Sequence, residues 1–399
     1  MALARRERLF YLCALPLGHL SVDWVAGGLF ILAPAVVFGG QELSPTQIGL
    51  LFAIRASVSS LFYIPAGIFG DSARRQGPAM VATFWWVGLA ALAGAFAPNY
   101  WALVLAIVVS GVGGVFWHPM AMGAMVQQMP RRKAMAMGVH GLGGSIAEMA
   151  APLLVGFLLL FMGWRRVLLV NSLVPLAAGI ALLGLISVKR PAVQGRFSRA
   201  DLVDLARIAR QPVFLGLLLA MSLYSMSMIA LMSMTPVYLK DVRGFSSGAA
   251  GLIFAALFLS GTVASPFVGI ISDKAGRKPV ALVATLIGGT AVWMMTATPE
   301  TVSLVLVMSV AGLCLISLRW VLTAAALDIV GQREATVIGF LYAIGEGVGA
   351  LGSLIAGVIG EASLDWSLAF AAILAFGAGG VMGLLPLRVS GRGMKRPAG

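Results

Sequence analysis

The chain contains the decapeptide GIFGDSARRQ at 67–76 and a second version of it, GIISDKAGRK, at 269–278. Each copy follows a long apolar run and precedes another one. The two copies lie at matching places in the two halves of the 399-residue chain. A basic loop repeated in a chain this hydrophobic predicts two homologous halves, each embedded in a membrane.

The composition also places the chain in a membrane. Hydrophobic residues make up 60% of the chain and charged residues 11%, whereas soluble domains carry roughly a quarter charged residues. Many apolar stretches are long enough for an α-helix, rising 1.5 Å per residue, to cross about 30 Å of hydrocarbon. They predict twelve spans, near 10–37, 47–69, 79–97, 101–128, 134–162, 166–188, 213–239, 248–271, 280–298, 302–329, 336–359 and 366–387.

The repeated loop resembles the loop between the second and third helices of each half in the major facilitator superfamily of secondary transporters. The family pattern there reads Gly-x-x-x-Asp-Arg-x-Gly-Arg-Arg/Lys. The second copy fits it well, but the first departs at Ser72, Arg74 and Gln76, so we expect its gating contacts to be weaker. The resemblance implies gating roles for the positions that both copies match: Gly67, Asp71, Arg75, Gly269, Asp273 and Arg277.

The same resemblance implies an all-α integral membrane fold, with twelve transmembrane helices in two six-helix bundles. We assign 1–188 to the N-terminal bundle and 213–399 to the C-terminal bundle with a basic tail. Between them, 189–212 is predicted to be a cytoplasmic linker. Its polar sequence, with leucines recurring on one face, predicts a short interfacial helix on the inner membrane surface.

The basic residues predict the orientation, because Lys and Arg concentrate in cytoplasmic loops. With the N-terminus inside, most of the 28 Lys and Arg residues fall on the cytoplasmic side. We therefore expect a multi-pass protein of the cell (inner) membrane with both termini in the cytoplasm. The net charge of +13 then reflects this bias and contact with anionic lipid, without a nucleic-acid partner. Nothing in the sequence demands an oligomer, so we expect a monomer.

Function is argued from polar residues within the spans, since each is costly in lipid unless it is paired or faces water. These residues occupy helices that the family fold places around a central cavity. His140 is a weaker candidate, because a lone histidine is more often packed than functional, and Asp328 lies near the cytoplasmic end of its span. The main candidates for binding substrate and protons are His19, Asp23, Arg55, His118, Glu148, Arg319 and Glu346.

Three of these candidates lie at similar depth. Counted from the cytoplasmic end of each span, Asp23, Arg55 and Glu148 all come at roughly 20 Å. Secondary transporters commonly bind substrate and coupling ion near the midplane. His19 and Asp23 are four residues apart, on one helical face.

A carboxylate at that depth suits proton coupling. If a substrate group or Arg55 takes the place of the proton on Asp23 or Glu148, binding and protonation compete, and the result is antiport. The alternative is a buried ion pair that only orders the N-terminal bundle. Arg319, beside Trp320, can likewise offer a charged wall to an anionic ligand or simply pair with Glu346.

Two further motifs narrow the resemblance. His19-x3-Asp23 together with WHPMAMG (117–123) is similar to the fosmidomycin-resistance-type branch, whose members expel small toxic compounds in exchange for protons. GLGGSIAEMAAPLLVG (141–156) resembles the glycine-rich antiporter motif, although the close helix packing that small residues allow explains it equally well. These resemblances imply a proton-coupled exporter of a small organic compound or drug. Arg55 favours an anionic one.

Methionines support an alternative function. The His-x3-Met and Met-x3-Met pairs resemble those of a copper-transporting branch of the same superfamily, and soft sulfur ligands suit Cu(I). The pairs are His118 with Met122, and Met228 with Met232. An enzyme is disfavoured, since neither an HExxH pair nor a plausible nucleophile elbow occurs. We expect no cofactor, and the proton as coupling ion.

Overall fold

A computed structural model of the chain describes residues 5–72, 76–128, 133–187, 207, 210–330 and 334–387. Within these ranges twelve long α-helices form two six-helix bundles, which confirms the predicted fold class. The helices are α1 Arg5–Leu32, α2 Pro45–Ser72, α3 Gln76–Ala95, α4 Tyr100–Gln128, α5 Lys133–Leu158, α6 Trp164–Ala181, α7 Pro212–Asp241, α8 Ser247–Ala275, α9 Arg277–Ala297, α10 Thr301–Val330, α11 Glu334–Ala362 and α12 Leu364–Leu384.

Eleven of these helices are long and apolar enough to cross a membrane, judged by length and composition over the described residues. The remaining one, α6, has 18 residues and carries two arginines in its first turn, directly after Trp164. Arg165 donates hydrogen bonds to the carbonyl oxygens of Ala95 and Ala97 at 3.0 and 2.7 Å. The polar start of α6 is therefore tied to the end of α3, where α3 leaves free carbonyl groups.

The connection after α1 differs from the sequence prediction. We expected the first span to run to residue 37, but α1 ends at Leu32 and a 3-10 turn, Ala33–Ala35, follows. A short hairpin comes next, with strands β1 Val37–Phe38 and β2 Gln41–Glu42 paired antiparallel. Its two-residue turn has positive φ at Gly39 and Gly40, 61° and 82°, which favours glycine at both positions.

The sixth span also ends earlier than expected. We placed its end at residue 188, whereas α6 ends at Ala181 and a 3-10 turn, Leu183–Ser187, follows. Most of the linker predicted at 189–212, including its interfacial helix, lies outside the described residues. The domain boundaries therefore stay predictions.

The two bundles meet mainly through two helix pairs, α2 with α11 and α5 with α8. In the first pair Gly49 faces Gly357, and a Cβ built on either would lie 3.1 Å from the Cα of the other. In the second pair Gly156 faces Gly251, with corresponding distances of 3.2 and 3.3 Å. The two contacts are repeat equivalents of each other, because α2 corresponds to α8 and α5 to α11. Glycine is required at these crossings because the backbones touch.

The end of the molecule that carries the hairpin is closed by polar contacts between the bundles. Lys240 of α7 lies 2.5 Å from the Glu42 carboxylate and donates to the Pro34 carbonyl oxygen at 2.7 Å. The backbone N–H of Thr46 donates to Glu361 at 3.0 Å, and the Ser353 hydroxyl donates to the Gly49 carbonyl oxygen at 2.6 Å. The N-terminal bundle is thus tied to the C-terminal bundle at this end.

The opposite end, which carries the repeated loops, is less tightly packed around the repeat glycines. Among the described residues, a Cβ on Gly67 or on Gly269 would meet no atom within 4 Å. In the second copy, Arg277 lies 2.5 Å from the Asp273 carboxylate and donates through Nε to Asp328 at 3.1 Å. This arginine links the α8–α9 loop to α10.

The first copy of the loop is only partly described. Arg75 and the side chain of Asp71 lie outside the described residues. Gln76 is buried, and its side-chain amide donates to the Gly70 carbonyl oxygen. An amide therefore makes a local backbone contact where the family pattern has a basic residue.

Candidate functional site

Three histidines from three helices meet inside the N-terminal bundle. His19 lies on α1, His118 on α4 and His140 on α5, and one nitrogen of each ring lies within 4.8 Å of the others. The His19 ring stacks on His140, with centroids 4.3 Å apart, and packs edge-on against His118 at 5.0 Å. In the sequence His140 is a weaker candidate, because a lone histidine is more often packed than functional, but the fold places it against His19.

Asp23 joins this cluster from the next turn of α1. Its Oδ2 lies 3.1 Å from His19 Nε2, and its Oδ1 lies 3.5 Å from His118 Nε2. The four-residue spacing puts His19 and Asp23 on the same face of α1, as the sequence indicated. Asp23 therefore lies between two imidazole rings.

The hydrogen bonds of His19 determine where a proton must lie. His19 Nδ1 lies 2.9 Å from the His140 carbonyl oxygen, and a carbonyl can only accept, so Nδ1 carries the hydrogen in this ring orientation. The other nitrogen, Nε2, then faces the Asp23 carboxyl at 3.1 Å. A proton is needed between them, because otherwise two lone pairs would face each other. The pair holds this proton either as imidazolium and carboxylate or as imidazole and carboxylic acid.

A metal ion fits this cluster poorly, even though three imidazoles are close together. Imidazole binds a metal through a free ring nitrogen. Both nitrogens of His19 already have protein partners, His140 and Asp23. His118, His140 and the Asp23 carboxyl would remain, and that carboxyl already shares a proton with His19, so fewer free ligands remain than a typical zinc or copper site uses.

The glycine-rich part of α5 is what allows this helix to approach the His19–Asp23 pair. A Cβ on Gly144 would lie 2.7 Å from His19 Nε2 and 3.2 Å from Asp23 Oδ2. A Cβ on Gly143 would overlap the carbonyl oxygen of Pro16. The stretch that resembles the antiporter motif thus packs directly against the proton-holding pair.

The sequence WHP in α4 places its three residues in three different environments. Trp117 is fully buried and packs on Phe84 of α3, with ring centroids 4.7 Å apart. His118 lines a cavity, and Pro119 packs near Gly70 of α2. Burial of the tryptophan fixes the helix rotation that turns His118 toward the cavity.

The cavity lies in the N-terminal bundle where it borders the C-terminal bundle, and its space, counting the solvent at its mouth, is about 600 Å³. Helices α1, α2 and α4 supply most of its lining, and α11 contributes one carboxylate. The structure therefore brings four of the seven predicted site residues to one cavity. Its polar lining includes Asp23, Arg55, Ser59, Tyr63, His118 and Glu346.

A smaller recess of about 270 Å³ lies in the C-terminal bundle. Arg319 and Glu346 line it, and Arg319 Nη2 lies 3.8 Å from Glu346 Oε1. Glu346 lines both the recess and the larger cavity, so it lies where the two meet. The pairing of Arg319 with Glu346 is the alternative that the sequence left open.

Glu148 lies outside the described lining of both the cavity and the recess. It is half-buried on α5. Its backbone packs close to Gly27 of α1, and its carboxylate is near enough to Arg319 and Asp23 to interact with their charges. The structure therefore brings Asp23 and Arg55 together at one cavity, with Glu148 beside it.

Two of the three methionines proposed as copper ligands, Met228 and Met232, have packing roles in this structure. Met228 is 5% exposed within the hydrophobic core, and Met232 packs against that core. Methionine commonly fills such irregular apolar space.

A comparison with protein families gives the same assignment as the fold. The profile of the Major Facilitator Superfamily matches residues 17–251 and 244–399. The chain belongs to the major facilitator superfamily. It is accordingly a membrane transporter, and not an enzyme.

Curated relatives of this superfamily member are also named as transporters. A protein of Cupriavidus necator, named as a probable sulfoacetate transporter, is 27% identical over 359 residues, which cover 82% of both chains. A metabolite transport protein of Haemophilus influenzae is 26% identical over 256 residues, and the chain spans only 60% of its length. A multidrug resistance protein B homologue of Mycobacterium tuberculosis is 31% identical over 119 residues, 30% of this chain and 22% of that protein.

Solved structures show the same fold. A bacterial homologue of the human lysosomal transporter Spinster, in an inward-facing and unoccupied conformation, has a TM-score of 0.76 and 16% identity, over 96% of this chain and 97% of that one. The nucleoside transporter NupG has a TM-score of 0.77 and 15% identity, over 93% and 99%. At these identities the likeness concerns the fold alone.

Proposed function

We propose that this transporter is a proton-coupled exporter that exchanges protons for a small organic compound with an anionic group. The observation that carries the proposal is the geometry of His19 and Asp23, which hold one proton between them. Asp23 also lines the cavity. A proton site on the wall of a central cavity is what coupled transport requires.

Loss of that proton changes what Asp23 can bind. Without it, the Nε2 lone pair of His19 and the Asp23 carboxylate repel each other at 3.1 Å. The carboxylate then gains by accepting a hydrogen bond from another donor, and a hydroxyl or amide group of a compound in the cavity can supply one. Proton and compound therefore compete for Asp23, and this competition produces exchange.

Arg55 supplies the complementary charge. It lines the same cavity and lies near enough to Asp23 to interact with its charge. A guanidinium binds carboxylate, sulfonate or phosphonate oxygens through two parallel hydrogen bonds. The relative named for sulfoacetate transport supports an anionic substrate.

The packing of the two bundles fits loading of the compound from one end of the molecule. The hairpin end is closed by Lys240, Thr46 and Ser353, whereas the repeat glycines face open space at the other end. With the orientation expected from the basic residues, the less tightly packed end faces the cytoplasm. We propose a monomer in the cell (inner) membrane, with both termini in the cytoplasm, loading its compound from the cytoplasm. The multidrug resistance homologue agrees with this direction.

The experiment is a proton-release measurement on purified protein in weakly buffered detergent solution. A thermal-shift screen of organic anions, neutral drugs and Cu(I), at two pH values, first identifies a compound that binds. We expect that compound to release protons when added to the wild type and not when added to Asp23→Asn. Proton uptake on binding would instead show co-transport. Stabilisation by Cu(I) alone would support the metal alternative.

A further inference from the structure

One face of α2 presents three hydrogen-bond donors in a row to the cavity. Arg55, Ser59 and Tyr63 are spaced four residues apart, so they lie above one another on the helix, and all three line the cavity. From the first to the third the helix rises about 12 Å. We call these three residues the donor ladder.

No member of the donor ladder has a hydrogen-bond or ion-pair partner among the residues that the structure describes. The Ser59 hydroxyl is buried, and its residue is only 8% exposed. Arg55 and Tyr63 are half-buried. A buried donor without a partner is destabilising, and a guanidinium within a span most of all. Such an arrangement is accounted for when a ligand supplies the acceptors.

The facing surface of α4 leaves room at the ladder. A Cβ on Gly111 would lie 3.0 Å from the Ser59 hydroxyl and 3.3 Å from Arg55 Nε. About one turn on, a Cβ on Gly114 would meet no atom of the described residues within 4 Å. Both glycines line the cavity. The absence of side chains at these two positions thus keeps Arg55 and Ser59 of the donor ladder open to the cavity.

We infer that the donor ladder recognises the oxyanion group of the transported compound, a carboxylate, sulfonate or phosphonate. The guanidinium of Arg55 offers a planar fork of donors that matches two oxygens of such a group. The Ser59 hydroxyl donates to the same group. Tyr63 donates to the oxygen of that group that lies nearer the end with the repeated loops. The inference rests on the proposed function, because it names the substrate class of that same cavity.

The probes that test the inference are butyrate, propane-1-sulfonate and propylphosphonate, with butyramide as a neutral analogue. Their binding to purified protein is measured by isothermal titration calorimetry. We expect each oxyanion to bind more tightly than butyramide. Ser59→Ala should weaken oxyanion binding about tenfold, as expected for the loss of one hydrogen bond to a charged group. Tyr63→Phe should weaken oxyanion binding by a smaller factor.

Arg55→Lys tests the fork geometry, because it keeps the positive charge and removes the bidentate contact. We expect at least about a tenfold loss of oxyanion affinity. Ser57→Ala is the matched control, since Ser57 lies on an exposed face of the same helix, outside the cavity lining, and should change nothing. Ser59→Ala and Tyr63→Phe each remove a single hydroxyl, so they remain informative if Arg55→Lys fails to fold.

The outcomes distinguish this inference from the proposed function. Unchanged oxyanion affinity in Ser59→Ala and Arg55→Lys, or equal binding of butyramide, would overturn the ladder, even if proton release persists. Ladder-dependent oxyanion binding without proton release would support the ladder and overturn the proton exchange. Binding of only one of the three oxyanions through the ladder would support it and identify the head group.

Discussion

At the scale of single residues, the decisive feature is the proton that His19 and Asp23 must share. The carbonyl oxygen of His140 fixes the hydrogen of His19 on Nδ1, so Nε2 and Asp23 must share another one. The donor and acceptor roles of these atoms are enough to require the shared proton. It makes His140 a positioning residue through its backbone and its stacked ring.

Asp23→Asn removes the ionisable group at nearly constant shape. We expect proton-driven transport in proteoliposomes to fall at least about a hundredfold, as when an essential proton acceptor is lost, while the melting temperature stays close to that of the wild type. Asp365→Asn, at the exposed start of α12, is the control and should transport normally. Coupled flux that survives in Asp23→Asn would rule out Asp23 as the coupling site.

Gly144→Ala tests the contact between α5 and the proton-holding pair. The added methyl would lie 2.7 Å from His19 Nε2, so the pair must separate. We expect transport to fall about tenfold or more, since loss of one hydrogen bond to a charged group has this order of effect. Gly141→Ala, on the same helix with no atom within 4 Å of its added Cβ, should behave like the wild type. Equal effects of the two variants would indicate a general change in the helix instead.

At the scale of elements, the hairpin β1–β2 acts as part of a closure between the bundles. It carries Glu42, which pairs with Lys240 at the end of α7. Beneath it, Phe30 of α1 stacks on Phe52 and approaches Phe254 of α8, with centroids 4.6 and 5.8 Å apart. The Lys240–Glu42 ion pair thus lies above a cluster of three aromatic rings, and both lie between the N-terminal and C-terminal bundles.

Lys240→Met should weaken this closure. The distance between spin labels at Gln41 and Asp365 is measured in a background without Cys13 and Cys314. We expect a larger fraction of molecules to show a longer distance between the two labels. An exposed pair contributes up to about 1 kcal/mol, which changes a two-state ratio up to about fivefold. Arg166→Gln removes a charge from the same end, and this exposed arginine has no partner among the described residues, so it should leave the distances unchanged. A distribution in Lys240→Met identical to the wild type would show that the ion pair does not hold the closure.

At the scale of the whole molecule, the internal repeat makes the two bundle contacts equivalent. Gly49 faces Gly357 as Gly251 faces Gly156, so one bundle can rock against the other about these crossings. To close the end with the repeated loops, helices would have to approach each other there, and the described residues leave space beside Gly67 and Gly269.

Gly269→Leu should be tolerated in the present conformation and should obstruct the alternative one. We expect normal thermal stability and transport reduced at least about tenfold, because the leucine opposes a close helix approach. Gly380→Leu on α12, where an added Cβ also meets no atom within 4 Å, is the matched control and should retain transport. Full activity of Gly269→Leu would show that this glycine does not take part in closure.

The sequence by itself determined the membrane location, the repeat and the twelve helices, because apolar length and a doubled loop are local properties. It also indicated that Asp23, Arg55 and Glu148 lie at similar depth, since depth along a helix follows from residue count, but it did not indicate that Glu148 stays outside the cavity lining. Only the tertiary structure brought His140 to His19, matched Gly49 with Gly357, and turned Ser59 and Tyr63 toward the cavity. Those contacts depend on how each helix is rotated. A span that is apolar nearly all round does not encode that rotation in its own pattern, so packing between helices distant in sequence decides it.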